Sequence, residues 1–262
     1  MLTPEQRNEF ETAGLTRLPG AISAEDAEAM AGRVWAFLGE RDGIRRDEPE
    51  TWTVPRPRKF QELEHSGALS AIGSPDVRGA LDALLGEAGW REPERWGQML
   101  VSFPGEGRWR LPHNMWHLDM PAAGSKAALR GVQAFALLTP VVFHGGATLA
   151  VTGSHRLAQR VVDEAASAPS LSSADVRRLL KRKQPWFQLL WTADEEAEHA
   201  RRLMGEGTTI GDVEVRVVEM TGEPGDVILM DPSLLHCMAP HTSGGPRFVV
   251  TERVWTKKGD GP

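Results

Sequence analysis

One cysteine, Cys237, is all that a chain of 262 residues carries. It excludes an intramolecular disulfide and any multi-cysteine metal site, and it is compatible with a reducing compartment. Long hydrophobic runs are missing too, since no stretch approaches the roughly 20 apolar residues that span a bilayer. The opening "MLTPEQRNEF" has no apolar run after a basic start and does not read as a secretory signal. Positive charge is also short: 30 Lys and Arg against 36 Asp and Glu leave a formal net charge of −6, the opposite of a nucleic-acid footprint. The basic run "RRLLKRK" (177–183) has helical spacing and reads as a solvated face. These absences predict a cytoplasmic chain that takes neither nucleic acid nor membrane as a partner, and nothing in them specifies an oligomer.

What is present suits a large core. Hydrophobic residues make up 40% of the chain and charged residues 25%, so folding needs neither a disulfide nor a structural metal. Thr3 and Pro4 predict a capped helix that stops near Gly14, followed by a short strand and turn in "LTRLPG" (15–20). Ser23 caps a second helix whose buried stripe is Val34, Trp35 and Leu38. "PRPRKF" (55–60) reads as a loop, and "DVRGALDALLGEA" (76–88) as a third helix. From Trp96 onward the texture changes to short strands separated by glycine and proline, among them "WGQMLVSF", "ATLAVTGS", "VEVRVVEM", "DVILMD" and "RFVVTERVW". Such a succession predicts an antiparallel barrel or jelly roll. A helical insertion over about 158–205 interrupts it, with a Ser cap before "ADVRRLLKRK" and a Thr cap before "ADEEAEHARRLM". With no repeat and no linker, residues 1–262 read as one domain.

Within "NMWHLDMP" (114–121), His117 and Asp119 are two residues apart. On an extended strand they share a face, with Trp116, Leu118 and Met120 on the other. A simple hydrogen bond between imidazole and carboxylate accounts for the pair alone. A third group changes the reading. His236 ends the apolar run "PSLLH" and is expected to enter the interior, whereas His241, in the turn-like "APHTSGG", is expected at the surface. Arg247 opens an apolar strand, where burial requires an anion unless the side chain reaches solvent. Two imidazoles and one carboxylate form the facial set that leaves coordination positions open in non-haem iron(II) oxygenases. The same set also serves a zinc hydrolase, and a non-catalytic binding barrel stays open beside both.

The chain resembles the phytanoyl-CoA dioxygenase family of iron(II)- and 2-oxoglutarate-dependent oxygenases. The likeness runs from the "LPGAIS" turn through "WHLD" and "GGATLAVTGSHR" (145–156) to "GDVILMDPSLLHCMAPHTSGGPR", where Arg247 follows His236 at the family's spacing. Thr152 stands where the family commonly has proline. The resemblance implies a double-stranded β-helix core, of jelly-roll or cupin-like form, with N-terminal helices. It implies Fe(II) held by His117, Asp119 and His236, with Arg247 on the distal carboxylate of 2-oxoglutarate and O2 as oxidant. Phe135 falls where the family lines the co-substrate pocket, Met99 on the strand that closes it, and Thr148 is placed to face the same carboxylate. His155 reads as structural, and Cys237 as a small filler. Met238, two after His236, replaces a residue that is polar in some members. Asp119 is absent from halogenating relatives, so its presence implies hydroxylation or oxidative ring closure of a small molecule. The abundance of alanine, arginine and glycine leans toward bacterial natural-product metabolism. Trp109, with Arg108 and Arg110, and "KQPWFQLLW" (183–191) either cap the barrel mouth or pack the insertion onto the barrel.

Overall fold

The computed structural model describes residues 2–120, 128–165, 171–193 and 197–257. The chain opens with α1 (Pro4–Ala13). Thr3 accepts from the Gln6 amide while the Gln6 side chain accepts from the Thr3 amide, a reciprocal cap that satisfies two orphan donors. Gly14 ends the helix at φ 84°, and a Cβ there would lie 2.5 Å from both the His155 ring and Leu234, so glycine is required twice over. Strand β1 (Leu15–Leu18) follows, and Ser23 then caps α2 (Ala24–Asp42). The buried stripe of α2 includes Val34, Trp35 and Leu38, as its periodicity predicts. Short α3 (Gln61–His65) and Ser74-capped α4 (Pro75–Leu85) complete the N-terminal layer.

The strands β2 (Gln98–Ser102), β3 (Gly131–Leu137) and β4 (Thr148–Val151) come next. Helices α5 (Ser154–Glu164), α6 (Ser173–Lys183), α7 (Pro185–Leu189) and α8 (Ala197–Ala200) form the insertion, with a π-helical turn at Arg201–Glu206. It begins at Ser154, slightly before the expected boundary, and part of the expected Thr-capped helix, residues 194–196, lies outside the described residues. The remaining strands are β5 (Thr208–Ile210), β6 (Val213–Val215), β7 (Val217–Glu219), β8 (Val227–Met230), β9 (His236–Met238) and β10 (Arg247–Trp255). "VEVRVVEM" thus breaks at Arg216 into β6 and β7, because β6 pairs with β5 while β7 pairs with β4.

Every ladder among the described residues is antiparallel. A five-stranded sheet runs β1-β8-β3-β10-β2 and a three-stranded sheet runs β7-β4-β9. Three apolar clusters define the layering. The first joins the N-terminal helices to the outer face of the five-stranded sheet, with Trp35 against Phe248 (4.8 Å between centroids) and Phe103 (6.0 Å). The second joins the insertion helices to the outer face of the three-stranded sheet through Leu149, Val151, Leu180 and Phe187. The third lies between the sheets and contains Phe135, Leu137, Ala150, Met220, Ile228 and Val249. Alternation along each strand separates these clusters. This is the jelly-roll arrangement, with helices on both outer faces.

Candidate metal and co-substrate site

The "HLD" segment joins no long strand but is pinned to β9 by a reciprocal backbone pair. His117 N–H donates to the His236 carbonyl (2.9 Å) and His236 N–H to the His117 carbonyl (3.0 Å). Asp119 N–H donates to the Pro232 carbonyl (3.0 Å). The expected alternation holds: Trp116, Leu118 and Met120 are buried, the first two in the cluster under the insertion. On α6, Arg177 donates to the Trp116 carbonyl (3.1 Å), tying the insertion to this segment.

His117, Asp119 and His236 converge, each offering one ligand atom within 4.8 Å of the others. The His117 Nδ1 lies 2.8 Å from the Met115 carbonyl and the His236 Nδ1 2.9 Å from the Leu234 carbonyl. A carbonyl only accepts, so Nδ1 of each ring carries a proton, which leaves Nε2 as the ring atom that can ligate. Burial pushes the His236 pKa down to about 4, with the neighbouring His117 adding to the shift, and His236 is neutral at physiological pH. Asp119 places Oδ1 3.8 Å from the His117 Nε2 and Oδ2 3.8 Å from the His236 Nε2, both too long for a hydrogen bond. The simple imidazole–carboxylate bond is therefore not formed. Three acceptors facing one another repel unless a cation lies among them, and this donor set, with its imidazoles oriented by backbone carbonyls, fits a divalent transition metal.

The inward face of β10 carries Arg247, Val249, Thr251 and Arg253, and the register places Phe135 opposite Thr251 on the same side. Arg247 is 2% exposed and meets no carboxylate among the described residues. Its Nη2 donates to the Thr148 hydroxyl (3.2 Å), while Nε and Nη1 are buried without partners. Burial, reinforced by the charge of Arg56, lowers its pKa to about 10, so it remains cationic at neutral pH. A buried guanidinium with two idle donors fits the distal carboxylate of 2-oxoglutarate.

Met99 is a correction. It pairs with Val250 and packs in the N-terminal cluster, its amide held by Glu64 (2.9 Å). The period of two puts it on the outer face, and Leu100 and Ser102 are the residues of β2 that share the inward side with Val249 and Arg247. His241 is a second correction: it is buried, with Nδ1 2.9 Å from the Ser102 Oγ and Nε2 unpartnered. An isolated bridge between Gly145 and His241 pulls the turn inward, and Gly146 permits the approach because a Cβ there would stand 2.8 Å from that of His241.

His155 is buried away from this set, its Nε2 3.2 Å from the Glu11 carbonyl. Cys237 lies in the insertion cluster, its thiol pushed up by burial. Phe187 and Leu190 pack there with Trp186 and Trp191 against them, so packing accounts for "KQPWFQLLW". Trp109 stacks on His144 at 4.2 Å between centroids. Sequence reasoning passed over three charged or polar contributors: Arg56, Ser102 and Arg253. Arg56 lay in a loop without periodicity, and only the β10–β2 register reveals Ser102 beside Arg247.

The sequence profile of the phytanoyl-CoA dioxygenase family matches residues 10–249. The chain belongs to this family. It is thereby an Fe(II)- and 2-oxoglutarate-dependent enzyme. Among solved structures it is similar to HygX from Streptomyces hygroscopicus with nickel and 2-oxoglutarate bound, at 17% identity and TM-score 0.54, covering 98% of this chain and 88% of that one. It is also similar to SnoN, a non-haem α-ketoglutarate-dependent epimerase from nogalamycin biosynthesis, at 14% identity and TM-score 0.54, covering 96% and 80%. AviO1 from Streptomyces viridochromogenes Tue57 shares 15% identity at TM-score 0.52, covering 100% and 99%. At these identities the likeness speaks to the fold. No curated protein matches the chain in sequence. Among the described residues, no helix is long and apolar enough to cross a membrane.

Proposed function

We propose that this enzyme oxidises a small molecule, by hydroxylation or oxidative ring closure, in bacterial natural-product biosynthesis, and that residues 1–262 work as one catalytic domain. His117, Asp119 and His236 hold Fe(II) in this reading; Arg247 and Thr148 bind the distal carboxylate of 2-oxoglutarate, with Phe135 beside it. Arg56 adds a second positive charge at the same end. The observation that carries the proposal is the buried Arg247, whose Nε and Nη1 have no partner. A zinc hydrolase would use the three ligands but has no role for that guanidinium.

Bound Fe(II) and 2-oxoglutarate supply a two-electron oxidation by O2, with the co-substrate leaving as succinate and CO2. The chain's own residues prepare for this. The carbonyls of Met115 and Leu234 fix both imidazoles in one tautomer. Phe135, Ile228 and Val249 exclude water between the sheets. Arg247 orients a dicarboxylic keto acid by its far end. Asp119 occupies the place that a halide would need, which favours oxygenation. HygX has been seen with hygromycin B bound, and SnoN comes from nogalamycin biosynthesis. These relatives support an elaborate natural product as the substrate class.

Anaerobic titration of metal-free protein with Fe(II) and 2-oxoglutarate tests the proposal. A visible charge-transfer band is expected in wild type and absent in His236→Ala. Iron binding without the band, together with turnover supported by zinc, would overturn it in favour of a hydrolase.

A further inference from the structure

The ligand assignment leaves one contact without a task. Arg253, farther along the inward face of β10 than Arg247, reaches Asp119, with both its Nε and Nη2 3.1 Å from Oδ2. We propose that Arg253 is a positioning residue that holds Oδ2 of Asp119 out of the metal's coordination sphere, so that the carboxylate ligates through Oδ1 alone. The inference rests on the reading of His117, Asp119 and His236 as metal ligands.

Asp119 presents a different carboxylate oxygen to each histidine. Oδ1 lies 3.8 Å from the His117 Nε2 and Oδ2 lies 3.8 Å from the His236 Nε2. Nothing in the His-x-Asp spacing selects one oxygen over two. The main-chain bond from Asp119 to the Pro232 carbonyl fixes the Cα but leaves the carboxylate free to rotate. Arg253 removes that freedom, because two N–H groups converge on Oδ2 and charge-assisted bonds are about twice as strong as neutral ones. Outer partners of this kind set the orientation of a metal-bound carboxylate.

The number of open positions follows. A six-coordinate metal with two imidazoles and a chelating carboxylate keeps two positions, enough for a keto acid and none for O2. With the carboxylate held to one oxygen, three remain. The Arg253 side chain is 41% exposed against 9% for Asp119, so the guanidinium approaches from the solvent side and is not a core element.

Mn2+ provides the test, since water-proton relaxivity counts the waters on the ion without turnover. Wild type is expected to show three, Arg253→Leu two, and Arg253→Lys three again, with circular dichroism confirming that each variant is folded. Mn2+ affinity should be kept or increased in Arg253→Leu, and adding 2-oxoglutarate should leave one water on the ion in wild type and none in Arg253→Leu. A wild-type water count in Arg253→Leu, with and without 2-oxoglutarate, overturns the proposal and reduces the contact to a surface ion pair. Loss of Mn2+ binding in Arg253→Leu also overturns it, because Arg253 would then be needed for ligation itself. Failure of wild type to bind Mn2+ strikes the ligand assignment instead.

Discussion

The two faces of β10 are made for different tasks. Outward, Phe248, Val250 and Val254 join the cluster under the N-terminal helices, and the half-buried carboxylate of Glu252 is met by the Gly97 amide at 2.7 Å. Inward, Arg247 keeps two idle donors, and Gln133, opposite Arg253 on β3, keeps an unpartnered Oε1. The outer face is apolar and satisfied, and it holds the sheet to its helices. The inner face carries polar groups that cost stability until a ligand meets them. Stability and binding are therefore separable on one strand, residue by residue.

Phe248→Ala gives the largest expected effect on the outer side. Phe248 is fully buried against Trp35 and Phe103, and its truncation should remove about 3–5 kcal/mol of stability. Chemical denaturation measures this, and calorimetry should find 2-oxoglutarate affinity unchanged in the folded, metal-loaded fraction. Arg247→Leu is the converse. Losing one partner of a buried charged contact costs roughly 2–5 kcal/mol of binding, so the dissociation constant for 2-oxoglutarate should rise by at least about thirtyfold. The ligand-free variant should melt no lower than wild type, because an unpaired buried charge has been removed. A variant that loses stability and keeps its affinity would reverse the assignment of the two faces.

The outer face of the three-stranded sheet holds one misfit. Glu219 lies opposite Leu149 with Oε2 on the His144 amide (2.8 Å), while Oε1 is buried without a hydrogen bond, 3.8 Å from the His144 Nε2. Burial raises its pKa to about 7, the amide bond offsetting part of the shift. The ordinary carboxylate value is about 4.3, so between these values the folded chain binds more protons than the unfolded one. This contribution to stability is complete below about pH 4 and is lost as pH rises through about 7. Burial lowers the His144 pKa, so that ring offers less positive charge to the newly formed carboxylate. Glu219→Gln should flatten the melting-temperature profile between pH 5 and 8. An unchanged slope would place the titrating group elsewhere.

Sequence alone showed the helices with strong punctuation, such as Thr3–Pro4 to Gly14 and the Ser23-capped stripe of Val34, Trp35 and Leu38. Their caps and periodicity are local. It also exposed His117 and Asp119 as a pair sharing a face, since that follows from a period of two within one segment. Pairing register was not visible, and it decides that Met99 faces outward while Leu100 and Ser102 face inward. His241 was misplaced for a related reason: its composition is that of a surface turn, but its bridge to Gly145 comes from a distant part of the chain. Arg253 sits in a strand where any inward arginine looks alike until Asp119 is brought against it.

Thr148→Val probes the inner face most finely. The Thr148 hydroxyl accepts from the Arg247 Nη2 at 3.2 Å, and its own proton is then free to donate to a carboxylate. Valine keeps the β-branched shape and suits a strand paired on both sides. The change therefore removes hydrogen bonds without moving β4. A hydrogen bond to a charged group contributes about 1.5–3 kcal/mol; Thr148 shares the carboxylate with Arg247, so the lower end applies and 2-oxoglutarate affinity should weaken about tenfold. Removing the acceptor also leaves Arg247 with no partner for Nη2, which should lower the melting temperature of the ligand-free protein slightly, while 2-oxoglutarate restores part of the difference. A loss as large as that of Arg247→Leu would mean that Thr148 orients the guanidinium rather than adding one contact. No loss would mean that the distal carboxylate lies on the idle Nε and Nη1 edge of Arg247, away from β4.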